Sequence, residues 1–196
     1  MTPVLLVRHG PTEWNASGRI QGHVDIDLSP GGRAQVARWR LPAAWAEARV
    51  LSSPLCRARE TAAILTGRTP TIDPRLIEMD WGRYQGRRLQ ELRAEAPAAM
   101  AANEGRGLDF RPPGGESPRE VCARLQTLLA ELASDPRPAV AVCHKGVIRA
   151  GLVLATGWDM QSRPPVRLSR DVGCALWCDR DGRVELGPPA SLASTA

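Results

Sequence analysis

"PVLLVRHG", residues 3–10, ends an apolar run on an arginine and a histidine and then breaks at glycine, and "PAVAVCHKG", residues 138–146, repeats the pattern with a second histidine. A short continuous apolar run bounded by turn signals is what a strand covered on both faces requires. Two buried strands with the same kind of exit predict a sheet that carries chemistry at its carboxyl edge. Outward from the first strand, Ser29-Pro30 opens a helical pattern through Trp39, since serine caps orphan amides and proline suits the first helical position. "ARVLS" (48–52) reads as a second strand, and "SSPLCRARETAAILTG" (52–67) as a helix with a serine cap, an early proline and a terminal glycine. A short strand at 71–73, helices near 87–95 and 117–134, and strands at 172–178 and 183–187 joined across "DRDG" complete the pattern. This alternation predicts a three-layer α/β/α sandwich with a mainly parallel central sheet, whose ligand site lies at the carboxyl ends of the strands. His9, Ser52 and Ser53, Glu78 and His144 all fall just after predicted strands.

The 196 residues suit one domain spanning 1–196. Residues 9–29 read as a long loop, which in a compact domain is usually functional. Residues 97–116 read as a lid-like insertion without a recognisable motif, its Gly105, Gly107 and prolines suggesting mobility and Glu104 and Arg106 supplying polar contacts. The tail from about 188 is expected to fray.

A net charge of +5 suits an anionic partner. The basic residues, nearly all arginine, are scattered rather than blocked, and Phe110 and Tyr84 are the sole aromatics besides tryptophan, so nucleic acid is not the expected partner. Five cysteines, an odd number without a C-x-x-C pair, signal neither a disulfide framework nor a zinc site. No apolar run approaches the ~20 residues of a membrane span, and no leader pattern is present, so a cytoplasmic protein without a membrane partner is expected. A homodimer is left open.

Histidine titrates near pH ~6.5 and serves as nucleophile, base or cation according to its surroundings. Taken singly, His9 and His144 read as structural residues; paired at matching strand ends, and beside Arg8 and Arg57, they read as a phosphate site, because guanidinium forks match phosphate oxygens. The competing reading of Arg57 and Arg59 is a surface ion pair with Glu60. Glu78 in "LIEMDWG" follows an apolar pair, where burial would raise its pKa and make it a proton donor; the competing reading is an exposed loop carboxylate. "CHKGVIR", 143–149, also fits the C-x-x-G-x-x-R spacing of cysteine-dependent phosphatases, with Cys143 as nucleophile and Arg149 as phosphate clamp. Against it stand Ala150 in the usual hydroxyl position and the stiff pair Val147-Ile148 where the loop should bend.

Together these stretches resemble the histidine phosphatase superfamily in its phosphoglycerate mutase-like branch. "LVRHGPTEWN" is similar to the family's opening, "GHVDIDLSPGGRAQ" to its next segment, "SSPLCRARETA" to its arginine helix and "LIEMDWGRYQG" to its acid loop, with "PPGGES" and "CHKGVIRA" as later landmarks. The resemblance implies His9 as the nucleophile that becomes phosphorylated, with Arg8, Arg57 and His144 around the phosphoryl group and Glu78 as proton donor, then base. It implies Thr12 and Asn15 as phosphate-side contacts; Gln21, Gly22 and Lys145 are expected on the substrate side. Metal and cofactor are not implied; the implied partner is a small phosphorylated substrate. Lys145 replaces the glycine often found there, and either reaches a substrate anion or points to solvent. The stretch between Glu78 and "PPGGES" is shorter than in the mutases, which favours a phosphomonoesterase over a cofactor-dependent phosphoglycerate mutase. An α-ribazole phosphatase is one specific activity within that range.

Overall fold

The computed structural model describes residues 1–166 and 169–193. Four strands, β1 (Thr2–Arg8), β2 (Arg49–Ser52), β3 (Thr71–Ile72) and β4 (Ala139–Cys143), run parallel in the order β3-β2-β4-β1. β5 (Val172–Cys178) joins β1 antiparallel and carries β6 (Val184–Leu186) as its hairpin partner, while β7 (Ala190–Ser191) also pairs with β5. The parallel sheet thus has an antiparallel extension on one side.

Alternation along the central strands sends side chains to two cores, as a period of two requires. Val4, Leu6, Ala139, Ala141 and Cys143 pack on one face against α6 (Pro118–Leu132) and α7 (Lys145–Thr156). Leu5, Val7, Val140 and Val142 pack on the other against α2 (Pro30–Val36) and α3 (Cys56–Thr66). Val4 through Val7 are fully buried, and each such side chain contributes about 1.5–3 kcal/mol of transfer free energy. The remaining helices are a single turn, α1 (Glu13–Ala16), and the pair α4 (Leu89–Glu95) and α5 (Pro97–Glu104). No helix among the described residues is long and apolar enough to cross a membrane.

Local signals set most boundaries. Ser29 caps α2 through the Gly32 amide, and Ser117 caps α6 in a capping box with Glu120. Gly67 closes α3 in the left-handed region at φ 66°. Three expectations fail. α2 ends at Val36, short of Trp39. α3 starts at Cys56 without a serine cap, because Ser53 is drawn into the site described below. The tail does not fray from 188: β7 pairs with β5 and Leu192 is fully buried, while 194–196 lie outside the described residues. The 97–116 stretch holds α5, followed by a 3-10 turn at Gly107–Asp109.

Candidate active site

Strand register brings the two histidines together. Arg8 lies opposite Cys143 in the β1–β4 pair, and the His9 amide donates to the Cys143 carbonyl at 3.0 Å. Beyond that point the chain after β1 proceeds to α2 on one face, and the chain after β4 to α7 on the other. Neighbouring parallel strands whose connections leave to opposite faces open a crevice at their carboxyl ends. His9 and His144 occupy it with ring centroids 5.1 Å apart.

His9 Nδ1 lies 2.7 Å from the Gly10 carbonyl. A carbonyl only accepts, so Nδ1 carries the ring proton and Nε2 keeps its lone pair. The Gly10 amide donates to Thr61 Oγ1 at 2.9 Å, which fixes that carbonyl in turn. Burial pushes the His9 pKa well below its ordinary value, and Arg57 and Arg8 push it further, against the opposing Gly10 bond. His144 Nε2 lies 2.7 Å from Ser53 Oγ, and its pKa is likewise depressed, first by burial and then by His9 and Arg57. His144 Nδ1 is buried without a partner among the described residues.

Two buried neutral histidines link stability to pH. Their folded pKa values lie below the unfolded value, so the unfolded chain binds more protons as pH falls below about 6.5, and stability drops in that direction. Thermal unfolding between pH 7 and pH 5 is expected to show a falling Tm, with each histidine contributing up to about 1.4 kcal/mol per pH unit. His144→Asn should shallow the slope; an unchanged slope would contradict the assignment.

Arg57 is fully buried and donates to the carbonyls of Val24 and Gly22, both at 2.8 Å. The surface pairing of Arg57 with Glu60 is not formed, since Glu60 takes Arg33 instead. Gly22 therefore holds Arg57 through its backbone. Its φ of +54° favours glycine, and a Cβ there would lie 2.2 Å from Gln85 Oε1. Burial lowers the Arg8 pKa despite the attraction of Glu78, and Arg8 Nε is buried without a partner among the described residues. Arg170, which no sequence signal marked, donates to the His9 carbonyl at 3.3 Å and is lowered to about 10 by burial and by Arg8.

Glu78 reaches the same crevice from the chain after β3. Its Oε1 accepts from the Met79 amide at 2.8 Å and from the Gly146 amide at 3.0 Å. Burial raises its pKa against those bonds and the nearby Arg57 and Arg8. The third histidine is structural: His23 Nε2 donates to the Glu78 carbonyl at 2.7 Å.

The resemblance-derived contacts divide. Thr12 caps α1, and Asn15 Oδ1 accepts from both the Thr12 amide and hydroxyl at 3.1 Å, which leaves the Asn15 side-chain nitrogen as the remaining donor of the pair. Gln21 is buried with Oε1 unpartnered among the described residues. Lys145 starts α7, and partial burial of its ammonium, followed by Arg8 and Arg149, holds its pKa down.

The cysteine-based mechanism is not supported by this geometry. Cys143 is fully buried in β4 and belongs to the apolar core, and burial followed by the Glu78 charge pushes its thiol pKa up. A thiol with raised pKa supplies little thiolate. Val147-Ile148 lies inside α7, so no loop wraps a phosphate, and Arg149 stacks 5.0 Å over the Trp158 ring.

An α/β sheet edge with two neutral histidines, several guanidinium groups and one protonatable carboxylate defines a phosphoryl-transfer enzyme that works through histidine. The family model for the histidine phosphatase superfamily (branch 1) matches residues 4–183, and the chain belongs to that family. The glucosyl-3-phosphoglycerate phosphatase of Mycolicibacterium vanbaalenii is 35% identical, covering 97% of this chain and 89% of that protein. A probable phosphoglycerate mutase, GpmB, from Salmonella paratyphi C is 37% identical over 80% of this chain and 74% of its own. Among solved structures, a mycobacterial glucosyl-3-phosphoglycerate phosphatase in complex with VO3 superposes with a TM-score of 0.80 at 30% identity, over 99% of this chain and 100% of that one. This chain is a phosphatase of the histidine phosphatase type.

Proposed function

We propose that the protein hydrolyses a small phosphate monoester in two displacements, with His9 as the nucleophile. His9 Nε2 attacks phosphorus, the bond from phosphorus to the leaving alcohol oxygen breaks, and Glu78 gives that oxygen its proton. The Glu78 carboxylate then takes a proton from water, the water oxygen attacks phosphorus, and the phosphorus–nitrogen bond breaks to release inorganic phosphate and neutral His9. Arg8, Arg57 and His144 hold the phosphoryl oxygens as charge spreads over them, with Asn15 and Lys145 as further donors. Gln21 completes the wall beside Gly22, whose part is to hold Arg57.

The observation that carries this reading is the bond from His9 Nδ1 to the Gly10 carbonyl, which keeps the opposite nitrogen unprotonated amid guanidinium groups. Mixing the enzyme with a labelled phosphate ester and quenching should trap an acid-labile, base-stable phosphoenzyme mapping to the His9 peptide. A label on any other residue would overturn the reading.

Hydrolysis rather than mutase transfer is supported by the shortness of the chain between Glu78 and Ser117. Residues 97–116 act as the lid over the leaving group. The likeness to a probable mutase makes interconversion of 2- and 3-phosphoglycerate the second reading, to be assayed beside a phosphometabolite panel that includes α-ribazole phosphate and glucosyl-3-phosphoglycerate. A cytoplasmic setting is supported by five cysteines that are all free thiols.

A further inference from the structure

A neutral histidine can assist a phosphoryl group only if its one ring proton sits on the nitrogen that meets it. In His144, Nε2 lies 2.7 Å from Ser53 Oγ. Nδ1, the other polar atom of the ring, is buried with no partner among the described residues, so no guanidinium donates to it. The residue is fully buried and its ring lies 5.1 Å from that of His9, so Nδ1 has only the crevice from which to draw a partner. Burial, His9 and Arg57 all act against a second proton on the ring.

Ser53 controls where the single proton goes. It is fully buried just beyond the carboxyl end of β2, where its amide donates to the Val142 carbonyl at 3.0 Å and its carbonyl accepts from Ser52 Oγ at 2.9 Å. The Leu55 amide, at the start of α3, donates to Ser53 Oγ at 3.3 Å. A serine hydroxyl has one proton to give and two lone pairs. With one lone pair taken by Leu55, two arrangements remain. In the first, the hydroxyl proton goes to His144 Nε2, which satisfies both groups and leaves Nδ1–H as a donor waiting for an acceptor. In the second, Nε2–H fills the other lone pair, and the hydroxyl proton is buried with no acceptor among the described residues. That arrangement also turns an Nδ1 lone pair toward phosphoryl oxygens, which repel it.

We propose that Ser53 is a positioning residue for phosphoryl transfer: its hydroxyl donates to His144 Nε2, fixes the ring proton on Nδ1, and so makes an uncharged His144 a donor to a phosphoryl oxygen. This rests on the two-displacement reading above, because the acceptor for Nδ1 is the phosphoryl group that passes to His9. The two histidines share one tautomer and use it in opposite senses. A carbonyl that only accepts holds the proton on Nδ1 of His9 and frees Nε2 to attack, whereas a hydroxyl that donates occupies Nε2 of His144 and frees Nδ1–H to bind.

Two-bond nitrogen–proton correlation spectra of the resting enzyme, labelled with nitrogen-15 histidine, locate the proton on each of the three rings. They should show Nδ1–H on His9 and His144 and Nε2–H on His23, which donates to the Glu78 carbonyl. Ser53→Ala should turn the His144 pattern to Nε2–H or to a mixture. With p-nitrophenyl phosphate it should lower kcat by about 10–100-fold, less than the ~10²–10³-fold expected when His144→Ala removes the whole donor. Ser53→Cys, which keeps a weak donor, should fall between Ser53→Ala and wild type. Because Ser53 acts through His144, adding Ser53→Ala to His144→Ala should cost no more than about twofold, whereas a merely structural serine would carry its full loss into the double variant. Nε2–H on His144 in the wild type, an unchanged kcat in Ser53→Ala, or its full loss in the double variant overturns the proposal, and the His9 mechanism stands if phosphohistidine still forms. A wild type that turns over substrate without phosphohistidine overturns both.

Discussion

Replacing His9 with alanine is expected to reduce kcat by roughly 10⁴-fold or more and to abolish phosphoenzyme trapping, because the covalent route disappears and only ground-state binding remains. His9→Gln should lose as much: an amide fills the space and keeps a donor toward Gly10, but offers no nucleophilic lone pair. Cys143→Ser should keep most of the turnover, since that thiol lies within the core cluster and not in the crevice. Steady-state rates with one small phosphate ester and a quench-labelling experiment check all three. Turnover surviving in His9→Ala but lost in Cys143→Ser would return the mechanism to the cysteine.

The electrostatics of the crevice account for why a nucleophilic imidazole sits among arginines. In water, an imidazole is partly protonated near neutrality, and the protonated fraction has no lone pair with which to attack. Burial and two guanidinium groups both act against the charged ring, while the same cations await the phosphate dianion. One set of charges thus keeps the free nucleophile neutral and stabilises the phosphoryl group on arrival. Arg57 can serve in this because its cost of burial is offset by the carbonyls of Gly22 and Val24, which orient it without cancelling its charge.

Much of this was legible in sequence because it depends on strand ends. Two apolar runs that each finish on histidine fix both the parallel pairing and the juxtaposition of His9 with His144, since Arg8 and Cys143 stand in register. Glu78 was legible through its neighbours. Arg170 was not, since it precedes β5 in no recognisable pattern and meets His9 only through tertiary folding. Ser53 reads both as a strand-end candidate and as a helix cap, since a serine before an early proline has that local meaning; the bond to His144 comes from 91 residues away in sequence. α5 has its own signals in "PAAMAANE", a proline in first position and alanines after it, but the glycines and prolines that follow give the stretch the local signature of a loop. Prolines at 188 and 189 mask β7 in the same way, since its short pairing with β5 is a tertiary contact.

Glu78→Gln separates the two halves of the reaction. An alkyl phosphate has a poor leaving group that needs a proton, so loss of the acid should slow kcat by about 10²–10⁴-fold. p-Nitrophenyl phosphate releases a stable anion and needs no proton, so phosphorylation of His9 should proceed at close to the normal rate. The second step still requires a base to activate water, and glutamine supplies none. The variant should therefore give a burst of nitrophenol equal to the enzyme present, followed by slow turnover, with phosphohistidine accumulating. The pH profile supplies an independent check. Burial raises the Glu78 pKa, so the protonated acid persists above the usual carboxylate range and is lost as pH rises through the raised value. With alkyl esters the wild-type rate should fall along that alkaline limb, and Glu78→Gln should lack it. Equal losses on alkyl and aryl esters with no accumulated phosphoenzyme would show instead that Glu78 acts by positioning the Gly146 amide at the start of α7, the other role its hydrogen bonds allow.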